Sequence, residues 1–280
     1  MSPEFSKELL DAIDRMQAFP ASVQSILRLT GAASSAPREL VEVIQNDPIV
    51  TIKVLRVVNS AYYSLPRPIT SIDAAVVFLG FNTIKNMALS IAALSLLPNN
   101  PQAAFDAKSY VQHSLATASI ARALGLRFAA IDAHDFFIAG LLHDFGKVVL
   151  AQVMPVPFNQ ALDYSLAHGI ALHPALLHVT GIHHADIGAM LLEKWRFPAV
   201  LVQALRGQYT DYAPGAEVAL CVQVANQISK RIGSDFATKA PAQELSPAME
   251  QALGGTLDEV LESLGDIGVV LEEGSKFADL

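Results

Sequence analysis

The residues most able to do chemistry are His143 and Asp144, an adjacent pair in the segment Gly140-Leu141-Leu142-His143-Asp144-Phe145-Gly146-Lys147. The segment lies within an apolar stretch from Phe136 to Met154, for which we predict a single helix. An imidazole and a carboxylate in such surroundings each need a partner, because burying an unpaired charge is costly. The sequence therefore predicts that something satisfies this pair.

Two arrangements would do so. In the first, a metal ion binds the imidazole nitrogen and the carboxylate oxygen together, a donor mixture that suits iron, zinc or manganese. In the second, Asp144 pairs with Lys147 three residues later, while His143 hydrogen-bonds a neighbouring helix. Gly140 and Gly146 lie one turn either side of His143, and we expect them to admit another backbone or a ligand because they lack side chains.

The composition restricts the classes of partner. The chain has 280 residues, of which 52% are hydrophobic and 16% charged, against about 25% charged in an average protein. Its net charge of -8 argues against broad contact with nucleic acid or anionic lipid, both of which require basic surface. Cys221 is the only cysteine, and the N-terminus lacks the pattern of a signal peptide. We expect a cytoplasmic protein that contacts neither nucleic acid nor membrane.

The hydrophobic period is helical almost throughout, so we predict an all-α fold. The segment Pro98-Asn99-Asn100-Pro101 concentrates turn residues and divides the chain. We place an N-terminal helical half at residues 1–97, a second helical bundle at 98–233 and a C-terminal helical extension at 234–280. The extension either caps the helical core, which is the default, or serves as a docking element.

Several other polar residues fall where they could face the pair. His113 shares a helical face with apolar residues and is predicted to point inward. A second group of histidines follows between residues 168 and 184, at His168, His173, His178, His183 and His184. A five-residue spacing does not line one helical face, so we do not predict a polyhistidine stripe, although one member could point at the His143 pocket. Asn226 is a polar residue in the middle of an apolar helix predicted over residues 217–232.

From about residue 16 to residue 229, the chain resembles the HDOD domain, the "HD-related output domain" of bacterial signalling proteins. Besides the segment around His143, the matching motifs are Asn46-Asp47-Pro48, Asn59-Ser60-Ala61-Tyr62, Thr70-Ser71-Ile72, Leu79-Gly80, His113-Ser114, His184-Ala185-Asp186-Ile187-Gly188 and Trp195-Arg196-Phe197-Pro198. The resemblance implies a multi-helical HD-like bundle with an N-terminal helical subdomain. It also implies a fold similar to the HD and HD-GYP metal phosphohydrolases.

The resemblance assigns the site residues by position. His113 matches the first histidine of the HD enzymes, His143 and Asp144 match the His-Asp pair, and His184 matches a later histidine. Two positions depart from the enzymes: Gln208 stands in the segment where they carry a further histidine, and Asn226 replaces the closing aspartate. A neutral amide is a poorer metal ligand than either. We therefore expect the site to hold no metal, or one metal bound by His113, His143 and Asp144.

Two functions follow from this pattern. The favoured one is a non-catalytic signal-transduction output module that binds a signalling protein or a small ligand and keeps a degenerate HD pocket. The alternative is a metal-dependent phosphohydrolase acting on a nucleotide or a cyclic dinucleotide. Hydrolysis requires a metal with an open coordination position that lowers the pKa of its bound water to about 7. The missing ligands favour the first function.

Overall fold

The structure, a computed structural model, describes residues 37–59, 67–94, 97–98, 100–128, 131, 133–238 and 240–275, and six earlier residues: Leu9, Asp11, Ile13, Ser25, Ile26 and Leu29. Fifteen helices have defined bounds within these ranges, and the described residues contain no strand. The predicted all-α fold is confirmed. Residues 60–62 of one HDOD-like motif lie outside the described residues.

Four helices form the N-terminal half: α1 (Pro37–Gln45), α2 (Pro48–Val58), α3 (Ile72–Leu79) and α4 (Phe81–Leu94). The Asp47 side chain begins α2 by accepting hydrogen bonds from the backbone N–H groups of Ile49 and Val50, both at 3.1 Å. Ser71 begins α3, and its hydroxyl accepts a hydrogen bond from Ala74 N–H at 3.2 Å. These helices pack on one another, and α4 also contacts α6 of the second bundle.

The second bundle contains eight helices: α5 (Ala107–Gly125), α6 (Ala133–Leu142), α7 (Phe145–Val153), α8 (Pro155–His168), α9 (Leu172–Thr180), α10 (His184–Lys194), α11 (Ala199–Gly207) and α12 (Glu217–Arg231). The long helix α5 packs against both α6 and α12, while α7 packs against α10. These two packing arrangements bring distant parts of the sequence to one place in the core. The predicted division at residues 98–101 falls in the connection between α4 and α5.

The prediction of one continuous helix from Phe136 to Met154 is wrong. Helix α6 ends at Leu142, His143 and Asp144 form a turn, and α7 begins at Phe145. Adjacent side chains on a regular helix project about 100° apart. The turn instead allows the polar atoms of this adjacent pair to converge, with His143 Nε2 lying 3.4 Å from Asp144 Oδ2.

Three further helices follow the bundle: α13 (Pro247–Leu253), α14 (Leu257–Ser263) and α15 (Ile267–Ser275). Thr256 and Glu259 form a capping box at the start of α14. Helix α14 packs on α12, and α15 packs on α5. Arg127 fixes the extension to the bundle by donating to Leu253 O and Ser263 Oγ. The extension therefore caps the helical core.

One described stretch, Asp135–Val153, is long and apolar enough to cross a membrane by length and composition. Its mean hydropathy is 1.4 over an 18-residue window, and 89% of that window is buried inside the protein. A core helix of a soluble protein combines the same length, composition and burial.

Candidate functional site

Three side chains from two parts of the bundle meet in its interior. His113 lies on α5, whereas His143 and Asp144 form the turn between α6 and α7. His113 Nε2 is 3.2 Å from His143 Nε2, and Asp144 Oδ2 is 3.6 Å and 3.4 Å from these two nitrogens. At most 1% of each side chain is exposed. Three potential metal ligands therefore converge in a region closed to solvent.

Two glycines permit this convergence. A Cβ atom on Gly140 would lie 2.7 Å from the Cα of Ala118, so the absence of a side chain lets α6 approach α5. A Cβ atom on Gly146 would lie only 1.8 Å from the carbonyl oxygen of His184, so α7 approaches α10 still more closely. The prediction that both positions admit a neighbouring backbone is confirmed.

Backbone carbonyls set the orientation of the two imidazoles. His143 Nδ1 is 2.7 Å from Gly140 O, and His113 Nδ1 is 2.7 Å from Ser234 O. A carbonyl only accepts hydrogen bonds, so each Nδ1 carries the proton, and in the neutral ring each Nε2 presents its lone pair to the centre of the site. Burial, followed by the effect of His143, lowers the pKa of His113 to about 3 and so favours its neutral form. Two nitrogen lone pairs and a carboxylate oxygen thus face one another, an arrangement that a cation stabilises.

The separations of the three atoms fit a single metal ion. Ligand atoms about 2.0–2.2 Å from a metal, at tetrahedral or octahedral angles, lie roughly 3.0–3.6 Å from one another. The observed separations of 3.2, 3.4 and 3.6 Å fall in this range. Among the described residues, the histidine, cysteine or acidic side chains able to hold one ion together are these three: His113, His143 and Asp144.

Lys147 supplies a positive charge beside them. Its Nζ donates to Asp144 Oδ2 at 2.6 Å, so the predicted i,i+3 pair is present, and only 6% of the lysine is exposed. Burial raises the pKa of Asp144, but His143 and Lys147 lower it more strongly, and the net pKa lies well below the usual value. Asp144 is therefore an anion in the folded protein.

His184 contacts the other oxygen of Asp144. Its Nε2 is 3.1 Å from Oδ1, and the Tyr209 hydroxyl lies 3.4 Å from the same nitrogen. His184 thus lies outside the group of three converging donors and orients the carboxylate. Burial, the largest cause, lowers its pKa to about 3. Its Nδ1 is buried and makes no hydrogen bond to a described residue.

Sequence reasoning did not predict the next layer of the site. The Tyr209 ring stacks on His173 with a centroid separation of 4.4 Å and also lies 4.4 Å from the ring of His183. Burial lowers the pKa of His173 to about 2. The group of histidines between residues 168 and 184 is the sequence signal for this cluster, but the five-residue spacing does not show which members face the pocket. His168 and His178 instead both stack on the ring of Tyr164, with centroid separations of 4.0 and 4.5 Å.

The two positions that depart from the HD enzymes have different surroundings. Gln208 is buried, and its Nε2 donates to His143 O at 2.8 Å, so it supports the turn that carries the site. Asn226 lies on α12, which runs antiparallel to α5, with Ser229 Oγ 3.1 Å from Thr117 Oγ1 and Ser234 O against His113. Asn226 precedes Ser229 and is therefore displaced from His113 by roughly 10 Å along the helix axes. The Asn226 Oδ1 atom is buried and makes no hydrogen bond to a described residue.

Known proteins match this sequence and fold. The family model of the HDOD domain matches residues 16–210. An uncharacterized protein of Treponema pallidum (strain Nichols) is 25% identical over 206 residues, which cover 72% of this chain and 39% of that protein. The chain therefore spans well under half the length of this curated relative.

Solved structures share the fold. An HDOD domain protein of unknown function from Geobacter sulfurreducens is 22% identical, with a TM-score of 0.80 over 96% of this chain and 95% of its own. A candidate phosphohydrolase from Shewanella amazonensis SB2B is 22% identical, with a TM-score of 0.74 over 96% and 98% of the two chains. A candidate signal transduction protein from Marinobacter aquaeolei VT8 is 24% identical, with a TM-score of 0.80 over 98% of this chain and 65% of the other.

The fold and the buried His-His-Asp group define an HD-like helical protein. The match to the HDOD model covers more than half of the sequence, and the chain belongs to the HDOD family.

Proposed function

We propose that this HDOD protein is a non-catalytic signal-transduction output module whose pocket holds one divalent metal ion. His113 Nε2, His143 Nε2 and Asp144 Oδ2 would bind the ion, and iron, manganese and zinc all accept these donors. The protein would act by binding a signalling partner or a small ligand, without turnover. The observation that carries this proposal is that, in the part of the chain that the structure describes, three donors converge and are closed to solvent.

The surroundings of the three donors argue against hydrolysis. A catalytic metal keeps an open position for water or substrate, whereas a structural metal is enclosed by protein. At the site, His143, Asp144 and His184 are fully buried and His113 is 1% exposed, so a phosphodiester has no direct approach. The Lys147 ammonium lies 2.6 Å from Asp144 Oδ2, so a second metal ion beside this carboxylate, as a two-metal mechanism requires, would meet a positive charge.

The residues of this chain have definite tasks in such a site. Gly140 O and Ser234 O hold the two imidazoles with Nε2 facing inward. Lys147 balances the charge of Asp144. When bound, a metal would add further positive charge and join α5 to the turn between α6 and α7.

Signalling by contact also requires surface that can bind. Large hydrophobic side chains are exposed on α2 and α3, at Ile49, Ile52, Val77 and Phe78. Exposed apolar side chains grouped on neighbouring elements are a feature of interaction sites. The similarity to a candidate signal transduction protein agrees with this function, although it supports the shared fold alone.

The alternative function, a metal-dependent phosphohydrolase, is favoured by the same convergence of donors and by the candidate phosphohydrolase among the similar structures. It requires the pocket to open and a water to reach the metal.

An assay of turnover separates the two functions. The purified chain is supplied with Mn²⁺ or Fe²⁺ and incubated with bis(p-nitrophenyl) phosphate, nucleoside monophosphates and cyclic dinucleotides. We expect no hydrolysis above the rate without protein. Ion-dependent cleavage that disappears in His143→Ala and Asp144→Ala, with helical content retained by circular dichroism, would establish the hydrolase and exclude our proposal.

A further inference from the structure

The segment that follows α12 lies against the metal pocket. Helix α12 ends at Arg231, and after the turn at Gly233 the backbone N–H of Ser234 donates to the carbonyl of Ser229 at 2.8 Å. The chain then continues beside His113 and Lys147. We call residues 234–238 the strap.

Two contacts attach the strap to the pocket. The Ser234 carbonyl accepts from His113 Nδ1 at 2.7 Å, across 121 positions of sequence. Two residues later, the ring of Phe236 lies 5.9 Å from Lys147 Nζ. The first contact orients His113, a candidate metal ligand. The second places the Phe236 ring against Lys147, which pairs with Asp144.

Phe236 is the anchor of the strap. Its side chain is only 3% exposed. Its ring centroid lies 4.9 Å from that of Phe105 and 5.4 Å from that of Tyr110, the latter in an edge-to-face arrangement. These aromatic contacts close the pocket at the end of α5 where His113 lies.

The strap also has two unfavourable features. Ala237 has a φ of 75°, a left-handed conformation that disfavours a residue with a Cβ atom. The Asp235 Oδ2 atom is buried and has no hydrogen-bond partner in the described structure. A segment attached by one hydrogen bond and one buried aromatic side chain, against such costs, is well suited to local opening.

We propose that the strap is a removable cover of the metal pocket, and that reagents and metal ions reach His113 and His143 when it lifts. Lifting withdraws Ser234 O from His113 and Phe236 from Lys147, which exposes the donors without unfolding the bundle. The inference deepens the proposed function, because it assigns access to the same pocket, but its main test requires no bound metal.

The test measures acylation of histidines by diethyl pyrocarbonate in the metal-free protein, with mass spectrometry to locate the modified residues. Phe236→Ala is expected to accelerate modification of His113 and His143 at least about tenfold. Truncating a buried aromatic side chain costs more than 1.4 kcal/mol of stabilisation, and 1.4 kcal/mol corresponds to a tenfold change in the population of the open strap. Ala237→Gly removes the left-handed penalty and should slow modification about threefold.

Phe128→Ala is the matched control. Phe128 stacks on Phe136 beyond the other end of α5, far from His113. We expect its modification rates to stay within about twofold of the wild type even if the two Phe→Ala variants lose equal thermal stability. Equal acceleration in Phe236→Ala and Phe128→Ala would contradict the proposal that the strap is a removable cover. Faster modification in Ala237→Gly than in the wild type would contradict it as well.

Release of Mn²⁺ or Zn²⁺ to a chelator provides a second readout, with the same expected order of variants. If the protein holds no metal while the acylation rates follow the prediction, the metal proposal fails and the cover stands. If metal binds but Phe236→Ala does not change the acylation rates of His113 and His143, the strap is not a cover and the metal proposal stands.

Discussion

The second bundle buries polar and charged side chains, whereas the N-terminal half exposes large hydrophobic side chains. In the second bundle, the histidines and the carboxylate of the HD-like pocket are at most 1% exposed. In the N-terminal half, Val77 is 88% exposed and Ile49 68% exposed. Four of the nine large hydrophobic side chains exposed in the described structure lie on the two short helices α2 and α3.

The candidate metal ligands and the candidate partner-binding surface therefore lie in different halves of the protein. The residues that could bind a metal contribute to the interior of the bundle, where they have little access to substrate. The residues that could bind a partner lie on the surface of the other half, where they contribute little to folding. A signalling module in which a pocket organises the core and a separate surface makes contacts would have this distribution.

The buried pocket should be more sensitive to substitution than the exposed N-terminal surface. We expect the largest loss of stability at Gly146, where α7 approaches α10. Gly146→Ala should lower the free energy of unfolding by about 3 kcal/mol, because the new Cβ meets the backbone of α10. Chemical denaturation measures this loss. Gly207→Ala is the control: its Cβ would meet side-chain atoms alone, the Ala219 Cβ at 3.1 Å and the Thr210 Oγ1 at 3.7 Å, and we expect a change below about 1 kcal/mol. Equal stability of both variants would contradict close packing at the pocket.

The buried histidines should make the metal-free protein sensitive to acid. Burial lowers the pKa values of His113 and His184 from 6.5 to about 3. Between these values the unfolded chain binds more protons than the folded one, so stability falls as the pH is lowered through this window. The pKa of Asp144 is also depressed from its usual value of 3.8, so stability falls further as the pH is lowered below this value.

Urea denaturation between pH 7 and pH 4, with a chelator present, tests this dependence. The slope of stability against pH should be smaller in His184→Gln, since one of the titrating groups is removed. A stability independent of pH over this range would mean that the folded protein accommodates protonated histidines.

A smaller effect should distinguish the metal donors from the residue that orients them. His184→Gln removes the contact with Asp144 Oδ1 and should weaken Zn²⁺ binding about 10–100-fold without abolishing it. His143→Ala should abolish binding, and His178→Gln, which changes an exposed histidine stacked on Tyr164, should have no effect. Competition with a chromophoric chelator gives the affinities. Complete loss of binding in His184→Gln would make this residue a ligand.

The sequence predicted the helical class, the family and the central group His113, His143 and Asp144, because helical periodicity and short motifs are local signals. It also predicted the close approaches at Gly140 and Gly146, since a glycine within an apolar segment suggests contact. The turn at residues 143–144 was missed because the apolar run continues through it without a proline or a change of period.

Other features depend on contacts between distant residues. The strap reaches His113 from 121 positions away, and no local pattern indicates this contact. The place of Asn226 likewise depends on how α12 pairs with α5, which the identity of the residue does not reveal. Tyr209 joins the site because α11 ends beside α10.

The smallest effect is expected on the exposed surface of the N-terminal half. Val77→Lys should change the free energy of unfolding by less than about 0.5 kcal/mol, because the side chain is already in solvent. The adjacent Val76 is buried, and Val76→Lys should be strongly destabilising. If thermal unfolding shows equal losses for both variants, the surface of α3 is part of the folding core and is not free for a partner.

Elemental analysis of the protein, after loading with Mn²⁺, Fe²⁺ or Zn²⁺ and removal of free ions, tests the central claim most directly. Our account predicts one metal ion per chain, lost in His143→Ala. Two ions per chain would show that the pocket retains the donors of a two-metal hydrolase, and none would show that the three converging atoms do not form a metal site.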